Sequence, residues 1–116
     1  MGTNSRSAAR RKSRGVYYSP RHIADYIVDK TVAPLLVGKT PRQAAQLKIV
    51  DPACGAGVFL ISAYDYLLRW HLQQYLVDAA QNSWRLCRRP DGEWQLVPEE
   101  RQRILRNCIH GVDIDP

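Results

Sequence analysis

Residues 49–68 read IVDPACGAGVFLISAYDYLL, and the fold turns on how this stretch divides. The short apolar run at 47–51 ends in an acid, Asp51, and reads as a buried strand. The segment PACGAG is a turn, with Gly55 and Gly57 allowing close approach of the backbone to a ligand. A long helix should then begin at 56–58 and continue to about residue 80. Leu60, Tyr64, Leu67, His71, Tyr75 and Ala79 recur every three or four positions along it, and Leu68, Leu72 and Leu76 widen the apolar face.

Upstream, Ser19-Pro20 and Thr40-Pro41 each pair a capping hydroxyl with a proline suited to a first helical turn. The first helix is expected from Pro20 to about Thr31, with Ile23, Ile27 and Val28 on one face and Pro34 and Gly38 marking its exit. A short helix should follow Pro41. Downstream, Trp84, Leu86, Trp94 and Leu96 alternate around Pro90-Asp91-Gly92, as in a hairpin whose tryptophans cover a small core. Pro98, Glu99 and Glu100 open another helix ending near Asn107. CIHGVDIDP then reads as a second strand ending in acids. The order of strand, glycine turn, helix and strand is the opening of a doubly wound α/β sheet, in which ligands sit beyond the carboxyl ends of the strands. Asp51 and Asp113 both fall there.

The 116 residues suffice for one small domain, and 45% are hydrophobic. Charge is uneven. Arg6, Arg10, Arg11, Lys12 and Arg14 supply five of the 17 basic residues, leaving 12 against 11 acids elsewhere. Residues 1–14 therefore read as a flexible basic arm and 15–116 as the domain. Such an arm suits a polyanion such as DNA, or serves only as a solubilising leader. No apolar run approaches a membrane span, and no secretory signal pattern is present. Cys54, Cys87 and Cys108 are odd in number and irregular in spacing, which argues for reduced thiols in a cytoplasm.

The ligand can be narrowed. A GxxxxGK[ST] phosphate loop is absent, and Leu60 stands where a dinucleotide fingerprint needs its third glycine. A pyrophosphate would be repelled by Asp51 at the turn entrance. S-adenosyl-L-methionine fits better: Asp51 can hold its ammonium, the helix N-terminus its carboxylate, and one acid the two ribose hydroxyls. Asp113 is the first candidate for that acid and Asp115 the second, since alternate strand positions share a face. Asp113 follows Asp51 by 62 residues, against roughly 20 in a compact dinucleotide unit; the long helix and the excursion at 83–97 account for the excess.

GVYYSP, DPACGAGVFL and GVDIDP, in that order, resemble three motifs of the adenine-N6 DNA methyltransferases of bacterial restriction–modification systems, nearest to the Eco57I-like branch. The resemblance covers roughly residues 12–116. It implies that Ser19 contacts the cofactor carboxylate, that Tyr17 and Tyr18, adjacent to Ser19-Pro20, wall the pocket, and that Asp51, Pro52, Ala53, Gly55 and Gly57 form the methionine-binding turn with Phe59 packed behind it. Asp113 would hold the ribose and Ile114 flank the adenine. The family's Asn/Asp-Pro-Pro-Tyr/Phe motif, which binds the flipped adenine, does not occur in the sequence, nor does a region that would recognise a DNA sequence. The expectation is an incomplete Rossmann-like methyltransferase fold: the cofactor-binding N-terminal portion of a longer enzyme, with the catalytic half further along or on a second chain, and inactive by itself. Other readings are a methyltransferase acting on RNA, protein or a small molecule, and a non-catalytic relic that binds cofactor or DNA.

The remaining polar residues read more plainly. Cys54 is a small packing residue by the turn, and Cys108 with His110 lacks a second pair at zinc spacing. His71 reads as a partly buried spacer and His22 as a surface residue.

Overall fold

The computed structural model describes residues 21–51 and 57–111. Within them, α1 (Arg21–Thr31), α2 (Ala33–Leu36) and α3 (Pro41–Ala44) precede strand β1 (Ile49–Asp51). Helix α4 (Val58–Val77) follows, then a 3-10 turn (Ser83–Arg85), β2 (Leu86–Arg88), β3 (Trp94–Leu96), α5 (Pro98–Cys108) and β4 (Ile109–Gly111). The protein is a mixed α/β structure with a parallel sheet. β1 and β4 pair in parallel, Ile49 opposite Ile109, Val50 opposite His110 and Asp51 opposite Gly111. β2 and β3 form an antiparallel hairpin with Leu86 opposite Leu96.

The start signals act as expected at α3. The Thr40 hydroxyl accepts from the Gln43 N–H and the Gln43 side chain accepts from the Thr40 N–H, a reciprocal capping box. Pro34 corrects its expectation: it sits in the first turn of α2, where its missing N–H costs nothing, so it opens a helix after α1 and does not simply end one. Gly38, at φ +76, provides the left-handed exit. Ser19 and Pro20, read as the start of α1, lie outside the described residues.

The core runs along α4. Leu67 and Ala63 are fully buried, and Leu60, Tyr75, Val28, Ile49, Leu86, Leu96 and Ile104 close around them. The face of α1 differs from the expectation. Ala24 and Val28, one turn apart, are buried, whereas Ile23 and Ile27 are 42% and 38% exposed. A small alanine lets two helices approach closely, and it carries too little hydrophobicity to advertise that face in the sequence. Leu86 and Leu96 fill the hairpin interior; Trp94 is half-buried, and Trp84 lies in the 3-10 turn, 67% exposed, so it does not cover that core. His71 is buried to 1%, more deeply than a spacer on the helix edge would be.

Two contacts join the segments that lead into the parallel strands. Lys48 Nζ donates to the Asn107 carbonyl at 2.6 Å, and the Cys108 thiol donates to the Ala44 carbonyl at 3.8 Å. Burial also raises the Cys108 pKa, which keeps this sulfur a neutral thiol.

Leu67→Ala should lower unfolding free energy by about 2–5 kcal/mol, because it empties a fully enclosed site on the central helix. Ile61→Ala, on the half-exposed side of α4, should stay within roughly 1 kcal/mol. Urea denaturation of the two variants checks both.

Candidate functional site

β1 delivers Asp51 to its carboxyl end, half-buried and in register with Gly111 of β4. Parallel pairing therefore brings two chain segments far apart in sequence to one edge of the sheet. After β1 the chain re-enters the described structure at Gly57, the N-cap of α4, with φ +78 and ψ 12. Adding a Cβ there would meet nothing within 4 Å, so glycine is required by the left-handed backbone and not by crowding. The Gly57 carbonyl accepts the Ile61 N–H at 2.8 Å and starts the helical ladder. The N–H groups of Val58, Phe59 and Leu60 precede that ladder, and no acid stands in this first turn. The sheet end thus combines a carboxylate with the positive pole of a 20-residue helix. Phe59 is half-buried against the core behind it.

Of the residues expected at the site, Asp51, Gly57 and Phe59 lie among the described residues, at the end of β1 and the start of α4. Tyr17, Tyr18, Ser19, Pro20, Pro52, Ala53, Gly55, Asp113 and Ile114 lie outside the described residues, as do Arg6, Arg10, Arg11, Lys12 and Arg14 of the arm.

Sequence reading missed the bolt that fixes α1 beside the front half of α4. Arg21 Nε donates to Asp25 at 2.8 Å, and its Nη2 donates to Asp65 at 2.7 Å. The Ser62 hydroxyl donates to Asp25. Ser62 and Arg21 together hold the Asp25 carboxyl below its ordinary range. Arg21, the first described residue, is thereby held against the second and third turns of α4. An Arg–Asp pair four apart was visible in the sequence, but the partners on α4 were not.

A second polar group lies towards the far end of α4. His71 Nδ1 lies 2.7 Å from the Leu67 carbonyl and must donate to it, which leaves Nε2 as the bare, buried nitrogen without a partner. The Tyr75 hydroxyl donates to Glu100 Oε2, and Arg103 pairs with the same carboxylate. Burial and the Glu100 contact push the Tyr75 pKa up to about 12. Burial acts to raise the Glu100 pKa, but the hydrogen bonds from Arg103 and Tyr75 outweigh it and hold the carboxyl below its ordinary value. Burial lowers the His71 pKa, helped by the charges of Arg103 and Arg85. Among the described residues, no three His, Cys, Asp or Glu side chains gather as a metal site, and no helix is long and apolar enough to cross a membrane.

The model of the N-6 DNA methylase family matches residues 3–89. The chain belongs to that family. It is similar to the type II restriction enzyme and methyltransferase RM.Eco57I of Escherichia coli, 31% identical over 104 residues that cover 88% of this chain and 10% of that protein. It is also similar to the adenine-specific methyltransferase PglX of Streptomyces coelicolor, 28% identical over 114 residues, 95% of this chain and 7% of that one. The chain thus spans a tenth or less of the length of these curated relatives. No solved structure matches it.

The buried histidine sets a pH dependence. Its folded pKa lies below the ordinary 6.5, so on acidification the unfolded chain takes up a proton before the folded one does. The stability it contributes is complete above about pH 6.5 and is lost as pH falls towards the folded pKa. Glu100, also depressed, adds a further loss below its ordinary 4.5. His71→Phe should flatten the first decline and leave the second, as read from urea midpoints across the acidic range.

Proposed function

We propose that residues 15–116 form the S-adenosyl-L-methionine-binding front of an adenine-N6 DNA methyltransferase of the restriction–modification type, built as the opening of a doubly wound, Rossmann-like sheet. The observation that carries this reading is the parallel register of β1 and β4. It puts Asp51 beside Gly111, at the sheet end where the glycine-capped α4 begins. Asp113 follows Gly111 by two residues, a tether of at most about 7 Å.

The donor set fits the cofactor's chemistry. An ammonium, a carboxylate and a vicinal diol need an acid, a helix N-terminus and a second acid. Asp51 takes the ammonium, directly or through water. The first-turn N–H groups of α4 and the Ser19 hydroxyl take the carboxylate. Asp113 accepts both ribose hydroxyls, and Ile114, Tyr17 and Tyr18 wall the adenine. Pro20 sets the entry to α1, while Pro52, Ala53 and Gly55 shape the turn. Bound there, S-adenosyl-L-methionine supplies an electrophilic methyl group. The bolt from Arg21 to Asp25, Ser62 and Asp65 supports this reading, because it brings the chain that follows Tyr17–Pro20 to the same half of α4.

The names of the two relatives, a restriction enzyme and methyltransferase and an adenine-specific methyltransferase, support adenine in DNA as the acceptor. Transfer also needs groups that hold the flipped adenine in line with the methyl. The sequence contains no Asn/Asp-Pro-Pro-Tyr/Phe motif, so in this reading that motif comes from further polypeptide, continuous with this chain or on a second one. The basic arm would follow DNA phosphates, and the setting would be the cytoplasm.

The chain should bind S-adenosyl-L-methionine in isothermal titration calorimetry, and Asp51→Asn should weaken binding about tenfold, the equivalent of one charge-assisted contact. The chain alone should incorporate no labelled methyl into DNA. Equal affinity in Asp51→Asn and the parent would remove the ammonium role; absence of binding in a folded chain would remove the cofactor.

A further inference from the structure

At the opposite end of α4 from Gly57 lies a cleft of about 430 Å³ lined by Pro41, Arg42, Ala45, Tyr75, Arg85 and Arg103. Three of these are arginines, one each from α3, the 3-10 turn and α5. Their charge is poorly compensated. Glu100 is already committed, accepting from Tyr75 and pairing with Arg103. Arg85 is held by rings and not by an acid: its guanidinium carbon stands 4.8 Å from the Tyr75 ring centre and 4.2 Å from that of Trp84. Its Nε–H is buried with no acceptor. Arg42 is exposed and makes no ion pair or side-chain hydrogen bond among the described residues.

Three arginines around one cleft, of which only Arg103 is paired with a carboxylate, repel each other. That repulsion falls if an anion enters. Guanidinium forks match phosphate oxygens. The stacking of Arg85 between two rings fixes its orientation in advance, which lowers the entropy lost on binding. The cleft's volume lies in the range of small-ligand sites and exceeds what a lone phosphate fills. Tyr75 lies 17 residues beyond Val58 on α4, about 26 Å along the axis. The cleft is therefore separate from the sheet end that carries Asp51.

We propose that the Arg42–Arg85–Arg103 cleft is a binding site for a phosphoryl group carried on a larger molecule, either a free phosphorylated compound or the DNA backbone. Inorganic pyrophosphate is the probe, titrated into the full chain by calorimetry at low salt, with a short DNA duplex as competitor. Pyrophosphate should bind. Arg42→Ser, at an exposed position whose loss leaves the core untouched, should weaken it about fivefold or more, the scale of one charged hydrogen bond. Asp51→Asn should leave it unchanged, which separates this site from the cofactor reading. Displacement of pyrophosphate by the duplex assigns the site to DNA; binding undisturbed by the duplex assigns it to a free phosphorylated ligand. No pyrophosphate binding, or equal binding in the parent and Arg42→Ser, would overturn the proposal.

Discussion

The parallel pairing of β1 with β4 is the constraint on which the rest depends. Each strand is only three residues long, and the segments they join are separated by helix α4, the hairpin and α5. Three-residue strands cannot hold a parallel register by themselves. The register is secured from outside the sheet. Ile49 is buried against the core that α4 lines, and the Lys48–Asn107 and Cys108–Ala44 contacts tie the two strand entrances together. A slip of one residue would turn Val50, now 51% exposed, into the core and carry Ile49 out of it. Because the entrances are fixed, the exits are too, and Asp51 and Gly111 leave the sheet side by side.

α4 organises two polar ends with different chemistry. Its first turn follows a left-handed glycine and presents N–H groups that precede the helical ladder. Its last turns bury His71 and Tyr75, where Arg103 pairs with Glu100 and Arg85 lies over the Tyr75 and Trp84 rings. The apolar stripe between them, centred on Ala63 and Leu67, holds the ends about one helix length apart. Interior polar groups are costly to bury, and among the described residues each buried side-chain nitrogen or oxygen except His71 Nε2 and Arg85 Nε has a partner.

The sequence announced the local structure well and the long-range polar contacts poorly. Thr40-Pro41, the acid closing β1, the Asp91-Gly92 turn and the heptad-like leucines of α4 signal through their immediate neighbours, and the elements formed where those signals stood. The α1 face was misread because Ala24 packs by being small. The Tyr75–Glu100 contact spans 25 residues and the Ser62–Asp25 contact 37; periodicity scores such residues as surface polar groups, and only packing reveals their partners. At the candidate site, the strand end at Asp51 and the helix start after Gly57 were legible, because a glycine-containing turn after an acid-ended apolar run marks both boundaries, whereas Arg21 and Asp65 gave no comparable signal.

The central claim is that one sheet end, built from segments far apart in sequence, holds S-adenosyl-L-methionine. Hydrogen–deuterium exchange of the chain with and without S-adenosyl-L-methionine tests it most directly. Slowed exchange confined to peptides spanning residues 17–20, 51–61 and 109–116, with the far end of α4 unchanged, is the predicted result. Slowed exchange around Tyr75 and Arg85 with none at Asp51 and Gly111, or no change anywhere at saturating cofactor, would contradict it.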